Sequence, residues 1–336
     1  MLNKFKVRFN RLFEYIEKYI DPNPSLWTKI KVMIDFFWEK LIYKNELIEY
    51  MQYGFYFKTR AGRNKYLTLP KVVEIMKNCN DPDLRILFNN KGLFNEEYKE
   101  FLGRDFLDCS DSNIEIIRDF FLKHDKVICK NSKGLYGIGV KMIDASKSEL
   151  SDDFIKGLIN DKVLLEEVLT QHQEFKEYNE SSVNTIRVMT FLKANNEVEL
   201  VCSFIRLGRE GEHADNFHNH GIAAMVDIET GIIYTDGVDF DLKRYVIHPD
   251  SKKVIPGFKI PNWLEVKEFC KKLAMVNPTV RYVGWDICVK EDGSIAVIEG
   301  NYGAEADATQ IPDKIGRWNL YKSNLDEVKK LKNNIY

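Results

Sequence analysis

Residues 283–303, VGWDICVKEDGSIAVIEGNYG, constrain most what this chain can fold into. Residues 285–289 and 294–298 read as two short strands. The polar Lys290-Glu291-Asp292-Gly293 between them contains an Asp-Gly step, a hairpin signal. Such a hairpin brings Asp286 and Glu299 towards each other at one end. The two-residue period of a strand keeps Glu299 and Asn301 on one face. Two carboxylates and an amide oxygen then converge, a hard-oxygen set suited to Mg²⁺ held together with substrate phosphates. The plainer alternative is a surface hairpin with solvated acids; the Glu-x-Asn ending, followed by a glycine-containing turn, favours the cage.

A chain of 336 residues with 44% hydrophobic content can bury a large core and suggests two or three subdomains. Its formal net charge of −2 argues against nucleic acid as the main partner, because no global basic field exists. Six cysteines are scattered without paired spacing. They suggest neither a disulfide framework nor a zinc site, but a soluble protein of a reducing, cytoplasmic compartment. No run reaches the roughly 18 apolar residues needed to span a membrane. Residues 1–20 carry Leu2, Phe5, Phe9, Leu12, Phe13, Ile16 and Ile20 at helical spacing, with Lys4, Lys6, Arg8 and Arg11 elsewhere on the turn. A basic amphipathic helix can lie on an anionic membrane at its inner face, or pack on its own core. After the break at Asp21-Pro22-Asn23-Pro24, residues 26–56 predict further helices, so residues 1–60 form a helical appendage.

From residue 61 the texture changes. Residues 85–92 read as a strand running into a loop that carries Lys91, and residues 126–130 as a strand ending on Lys130. Ser132, Gly134, Gly137 and Gly139 follow, a flexible hairpin loop whose amides could close over phosphate. It is not a Walker loop, since the Gly-Lys-Ser/Thr ending and the following helix are missing. Residues 162–169 form a strand running into a polar linker, 171–180, with Glu174 at its middle. Residues 183–191 pair with 197–207, which carries Arg206 near its end. A polar loop with Asp215, Asn216, His218 and His220 precedes the strand 222–228, and residues 263–276 form an amphipathic helix. The spacing His218-x-His220 has no evident third ligand, so neither histidine, nor His248, is given a catalytic role.

These pieces in this order resemble the ATP-grasp superfamily. The resemblance runs over residues 90–303, on Asn90-Lys91, on Val127-Ile128-Cys129-Lys130 with its glycine loop, on Leu165-Glu166-Glu167-Val168-Leu169, and on Asp286 with Glu299-Gly300-Asn301. Within it the chain is similar to the glutamate-ligase-like branch associated with sugar transfer. Ser181-Ser182-Val183-Asn184-Thr185-Ile186-Arg187, Asp215-Asn216-Phe217, His248-Pro249-Asp250 and Val283-Gly284-Trp285-Asp286 carry that narrower likeness. One departure is His220-Gly221, where the branch would have a Gly-Gly pair.

The resemblance implies an α+β ATP-grasp fold, two α+β subdomains (61–165 and 166–336) clasping ATP. Lys91 and Lys130 would meet the phosphates and the loop 132–139 would cover them. Glu166, Glu167, Val168 and Leu169 would offer backbone groups to adenine, and Glu174 would hold the ribose. Asp286, Glu299 and Asn301 would hold two Mg²⁺ ions, with Mn²⁺ a substitute. Arg187 and Arg206 would steady an acylphosphate and the substrate carboxylate; the alternative for each is a surface ion pair. Asn184, Asn216, His218 and His220 would line the acceptor pocket. The implied activity joins a carboxylate to an amine, with a sugar carboxylate or an amino acid of surface polysaccharide as substrate. A kinase on the same fold and a non-catalytic nucleotide-binding module are the alternatives.

Overall fold

The computed structural model describes residues 2–131, 141–146, 148, 150–212, 214–218, 220–304 and 306–333. It opens with helices α1 (Leu2–Tyr19), α2 (Leu26–Tyr43), α3 (Leu47–Gln52), α4 (Arg60–Asn64) and α5 (Leu69–Cys79). Caps set their limits: the Ser25 hydroxyl accepts from the Thr28 amide at 3.0 Å, and Thr59 caps α4 from the Gly62 amide. The helical appendage is present, and its inner side is part of the main core. Leu12 and Ile16 of α1, Val32 and Phe36 of α2, and Tyr50 and Met51 of α3 pack in one cluster with Met189, Phe191 and Tyr282.

The strand expected at residues 85–92 is not there. The chain makes α6 (Arg85–Asn89) and α7 (Lys91–Glu97) instead. The apolar run Ile86-Leu87-Phe88 is too short to carry a period of its own. Leu84, Leu87 and Phe88, at helical spacing, pack inward, while Ile86 stays exposed. The Asn90 side-chain oxygen accepts from the amides of Gly92 and Leu93 at 3.0 and 3.3 Å. Lys91 therefore opens a capped helix rather than ending a strand.

A first sheet holds β1 (Phe106–Asp108), β2 (Lys126–Asn131), β3 (Lys141–Asp144) and β4 (Val163–Glu167) in the antiparallel order β1-β4-β2-β3. Helices α8 (Ile114–Lys123) and α9 (Asp152–Asn160) cover it through Ile117, Phe121 and Ile155. β2 and β3 pair as a hairpin, Cys129 facing Lys141. Ser132, Gly134, Gly137 and Gly139 between them lie outside the described residues. The polar linker after β4 contains a short helix, α10 (Gln173–Lys176).

The second sheet holds β5 (Thr185–Leu192), β6 (Val198–Leu207), β7 (Ile222–Val226), β8 (Gly237–Val238), β9 (Arg244–Tyr245), β10 (Tyr282–Val289) and β11 (Ile295–Asn301). Its order is β11-β10-β5-β6-β7-β8-β9. One face meets the N-terminal helices and α12 (Trp318–Asn333); the other packs on α11 (Trp263–Val276) through Trp263, Val266, Cys270 and Leu273. With both faces covered, β5 and β10 are buried along their whole length. The β10–β11 hairpin turns where Gly293, at φ 82°, donates to the Lys290 carbonyl. All six cysteines are buried free thiols.

Gly300, between Glu299 and Asn301, backs onto an aromatic wall. A Cβ there would lie 2.8 Å from Trp285 and 2.9 Å from both Phe88 and Phe94. The glycine lets its two neighbours face the cleft while the strand closes on packed rings. Gly300→Ala is expected to cost about 1–3 kcal/mol by overpacking. Urea denaturation should show a lower midpoint at unchanged m-value; an unaltered midpoint would mean the wall yields freely.

Candidate active site

Three adjacent strands set a buried seam of charge. β10 pairs with β11 so that Asp286 faces Glu299 and Gly284 faces Asn301, and with β5 so that Asp286 faces Arg187. The register slips by one residue after Asp286, a bulge that lets the pair meet at the strand ends. Arg187 grips the Asp286 carboxylate through Nε and Nη2, the latter at 2.9 Å. Arg206, from β6, reaches the same carboxylate with Nη2 at 2.9 Å and lies 3.5 Å from Asp215. Asp215 in turn accepts from the amide of Thr185 at 2.8 Å and from its hydroxyl. The surface ion pair is thereby excluded for both arginines, which are buried or nearly so and converge on a proposed metal ligand.

Burial tends to raise the Asp286 carboxyl, but Arg187 and Arg206 outweigh it and hold Asp286 well below the usual carboxylate range. Glu299 goes the other way. Burial and then the neighbouring Asp286 charge raise it, and it hydrogen-bonds Asp286. The Asn301 amide nitrogen is 3.4 Å from Glu299 Oε1 and 3.3 Å from the Gly284 carbonyl. Two facing carboxylates, with the pKa of one raised by burial and by the charge of the other, beside an amide that can turn its oxygen inward, fit a divalent cation of the Mg²⁺ type.

The first sheet brings a second cluster against this one. Glu166 is fully buried on β4, accepting from Lys130 Nζ at 2.7 Å, Arg104 Nε at 2.9 Å and Asn95 Nδ2 at 2.9 Å. Burial would raise it, and Arg104 and Lys130 together drive it well below the normal range. Arg104 also donates to the carbonyls of Val297 and Ile298 on β11, at 2.7 and 3.2 Å. Lys91 feels Glu299, Lys130 and Glu166, and burial lowers its pKa. Both lysines thus converge with the metal-type acids, as their spacing in the sequence could not reveal.

Other expected residues sit elsewhere. The Glu166 side chain is an internal anchor, and the Glu166 and Glu167 backbones are paired within the sheet, Glu167 N–H donating to Asp105. Val168 and Leu169 follow the last ladder residue and are half-buried. Glu174 is exposed at the mouth of a 680 Å³ cleft lined by Thr230, Lys259 and Trp263. Asn184 is buried and its side chain is saturated: it donates to Gln171, Phe175 and Asn179 and accepts from the Gly208 amide. It holds the linker in place and offers nothing to a substrate. Asn216 is half-buried and caps His218 N–H; His218 is exposed with Nε2 3.0 Å from Asp307. His248 is buried on the Gly208 carbonyl, so the three histidines are not brought together. His220, where the branch would have glycine, holds a left-handed backbone at φ 63°. Arg104, Asn95 and Thr185 were missed; Arg104 and Asn95 carry no motif, Thr185 lies in the motif at residues 181–187 without a role assigned there, and only the fold shows what they touch.

Glu299 makes a stability prediction. Its carboxyl protonates more readily in the folded chain than in the unfolded one. Its favourable contribution is therefore full below the ordinary glutamate range and is lost as pH rises through the raised folded value. Glu299→Gln keeps the shape and a donor for Asp286 but never ionises. It is expected to raise the thermal midpoint at pH 8 by roughly 1–3 °C and to change it little at pH 4. Calorimetry at the two pH values checks this; a lower midpoint at pH 8 would contradict the electrostatic account.

Among solved structures the chain is similar to the ATP-grasp ligase PsnB complexed with minimal precursor, at 17% identity and a TM-score of 0.47. The match covers 74% of this chain and 64% of PsnB, so the chain spans less than two thirds of that ligase. D-alanyl-alanine synthetase A from Vibrio cholerae matches at 11% identity and TM-score 0.44, covering 76% of this chain and 67% of that one. D-Alanine-D-alanine ligase from Helicobacter pylori matches at 16% and 0.44, covering 73% and 61%. No curated protein matches the chain in sequence. The sugar-transfer associated ATP-grasp family model matches residues 39–324. The cross-strand acids of β10 and β11, with Lys91 of α7 and Lys130 of β2 on the side of the first sheet, therefore sit in a chain that belongs to the sugar-transfer associated ATP-grasp family and has the ATP-grasp fold.

Proposed function

We propose that the chain is an ATP- and Mg²⁺-dependent carboxylate–amine ligase acting through an acylphosphate. The observation that carries this reading is the meeting of Asp286, Glu299 and Asn301 with Lys91 and Lys130 beside Arg187 and Arg206. The substrates it suits are a sugar carboxylate or an amino acid, of the kind joined in surface polysaccharides, and an amine. Asp286, Glu299 and Asn301 would hold Mg²⁺, which would supply positive charge to the phosphates. Lys130 exchanges Glu166 for phosphate oxygens, while Arg104 and Asn95 keep the vacated Glu166 paired.

The residues' work is positioning and charge neutralisation. A substrate carboxylate oxygen attacks the γ-phosphorus, the bond to the ADP oxygen breaks, and an acylphosphate forms. The amine nitrogen then attacks the acyl carbon, phosphate leaves, and the nitrogen gives up its proton. Arg187 and Arg206 each bond through Nε and Nη2, and among the described residues Nη1 of each has no hydrogen-bond partner. Those two groups are suited to the transferring phosphoryl oxygens and the substrate carboxylate. The backbone after β4 is suited to adenine and Glu174 to the ribose.

The test is ATP turnover with Mg²⁺ against amino acids and uronic-acid sugars, singly and in pairs, with products read by mass spectrometry. ADP and phosphate should form only when carboxylate and amine are both present, with a product one water lighter than their sum. A product heavier by a phosphoryl group, formed without amine, would make the protein a kinase; failure to bind ATP would sink the reading altogether. Asp286→Asn and Glu299→Gln should each lower turnover by at least ~10²-fold. Full Mg²⁺-dependent activity in either would refute the metal assignment.

A further inference from the structure

Helix α2 is more apolar on its outside than on its inside. It turns Val32, Phe36 and Glu39 to the protein, yet Trp27 is 75% exposed, Leu41 65% and Trp38 60%, with Leu26, Ile34 and Phe37 exposed beside them. At 100° per residue these side chains, with the exposed Ile42, share one arc of roughly 160°. Only Lys31 interrupts that arc. Scattered apolar residues on a surface need no explanation, but a contiguous face of this size on one helix does.

Charge says what covers it. The two acids of α2 are turned away from the face and neutralised: Asp35 is paired with Arg63 at 2.6 Å, and Glu39 with Arg60 at 2.5 Å and Arg63 at 2.8 Å. Lys29 and Lys40 rim the other side, paired with Glu17 at 3.0 Å and with Glu46 at 2.5 Å. Residues 1–44 hold nine Lys and Arg against five Asp and Glu, in a chain whose net charge is −2. Among the described residues no helix is long and apolar enough to cross a membrane, so a lipid-facing helix here lies on the surface. Two exposed indoles suit that depth, where the ring is buried and its N–H stays among headgroups.

We propose that α2 is a membrane-docking helix that lies flat on an anionic bilayer. Trp27, Ile34, Phe37, Trp38 and Leu41 enter the boundary between headgroups and acyl chains, and Lys29, Lys31 and Lys40 sit at the level of the lipid phosphates. The helix that the sequence pointed to for this role, α1, instead spends Leu12 and Ile16 on the core. Docking by α2 needs neither ATP nor acceptor, so it stands or falls apart from the ligase reading.

The experiment is flotation of the full chain with vesicles of phosphatidylcholine alone and of phosphatidylcholine with phosphatidylserine, beside its oligomeric state by light scattering. Binding should be stronger to the phosphatidylserine vesicles, weaken with salt, and fall roughly tenfold or more in Ile34→Glu/Leu41→Glu. Both positions are exposed, so the variant should keep its circular dichroism and thermal midpoint. Lys31→Glu should weaken only the preference for phosphatidylserine. No flotation of the natural chain with either vesicle, or equal flotation of the double variant, overturns the proposal. So does a dimer that the double variant splits while vesicles are ignored; that result would give the face to a second copy of the chain.

Discussion

The buried contact between Asp286 and its two arginines is the constraint on which the rest of the site depends. Three charges on three neighbouring strands are out of water at once, and each would be costly alone. They are tolerable because Arg206 is shared with Asp215, and Asp215 is satisfied by Thr185. Removing one partner from such a seam typically costs about 3–5 kcal/mol, because the other charge stays buried. The seam also fixes register. A slip of one residue between β5 and β10 would turn Asp286 towards the opposite face, leaving Arg187 without its carboxylate and Arg206 with Asp215 alone. The same pairing that orders the sheet delivers Asp286 to Glu299, the first carboxyl lowered by its arginines and the second raised by burial and by Asp286.

What could be read in the sequence was local. The 283–303 hairpin, the pairing of β5 with β6, helix α11 and the strand β2 all carry their own period or turn chemistry, and they formed as expected. Glu299 and Asn301 share a face because a strand's period demands it. The segment at residues 85–92 failed for a physical reason: three apolar residues fit a strand or one helical turn equally, and the inward packing of Leu84, Leu87 and Phe88 goes with the turn. In the site, residue types and order pointed to the acids and the lysines. Partners separated by long stretches of chain were not legible. Nothing in Arg104 announces that it will meet Glu166 and β11, and nothing in Asn184 shows that its amide is wholly spent inside the protein. The exposed face of α2 was hidden for a related reason. Apolar residues on both sides of a helix look like a buried helix until the fold shows which side is covered.

Arg104 gives the two sheets a mechanical relation. It stands before β1, holds Glu166 in the first sheet, and donates to two carbonyls of β11 in the second. Glu166 is thus bound at once to Lys130, which faces the phosphates in the proposed reaction, and to an arginine fixed on the strand that carries Glu299. A phosphate that draws Lys130 away from Glu166 removes one of two cations from a buried carboxylate. The bonds to Arg104 and Asn95 then carry more of the charge, and Arg104 keeps Glu166 tied to β11 through the carbonyls of Val297 and Ile298. Phosphate binding at Lys130 and the position of Glu299 are in this way linked through three residues, Lys130, Glu166 and Arg104, none of which needs to move far.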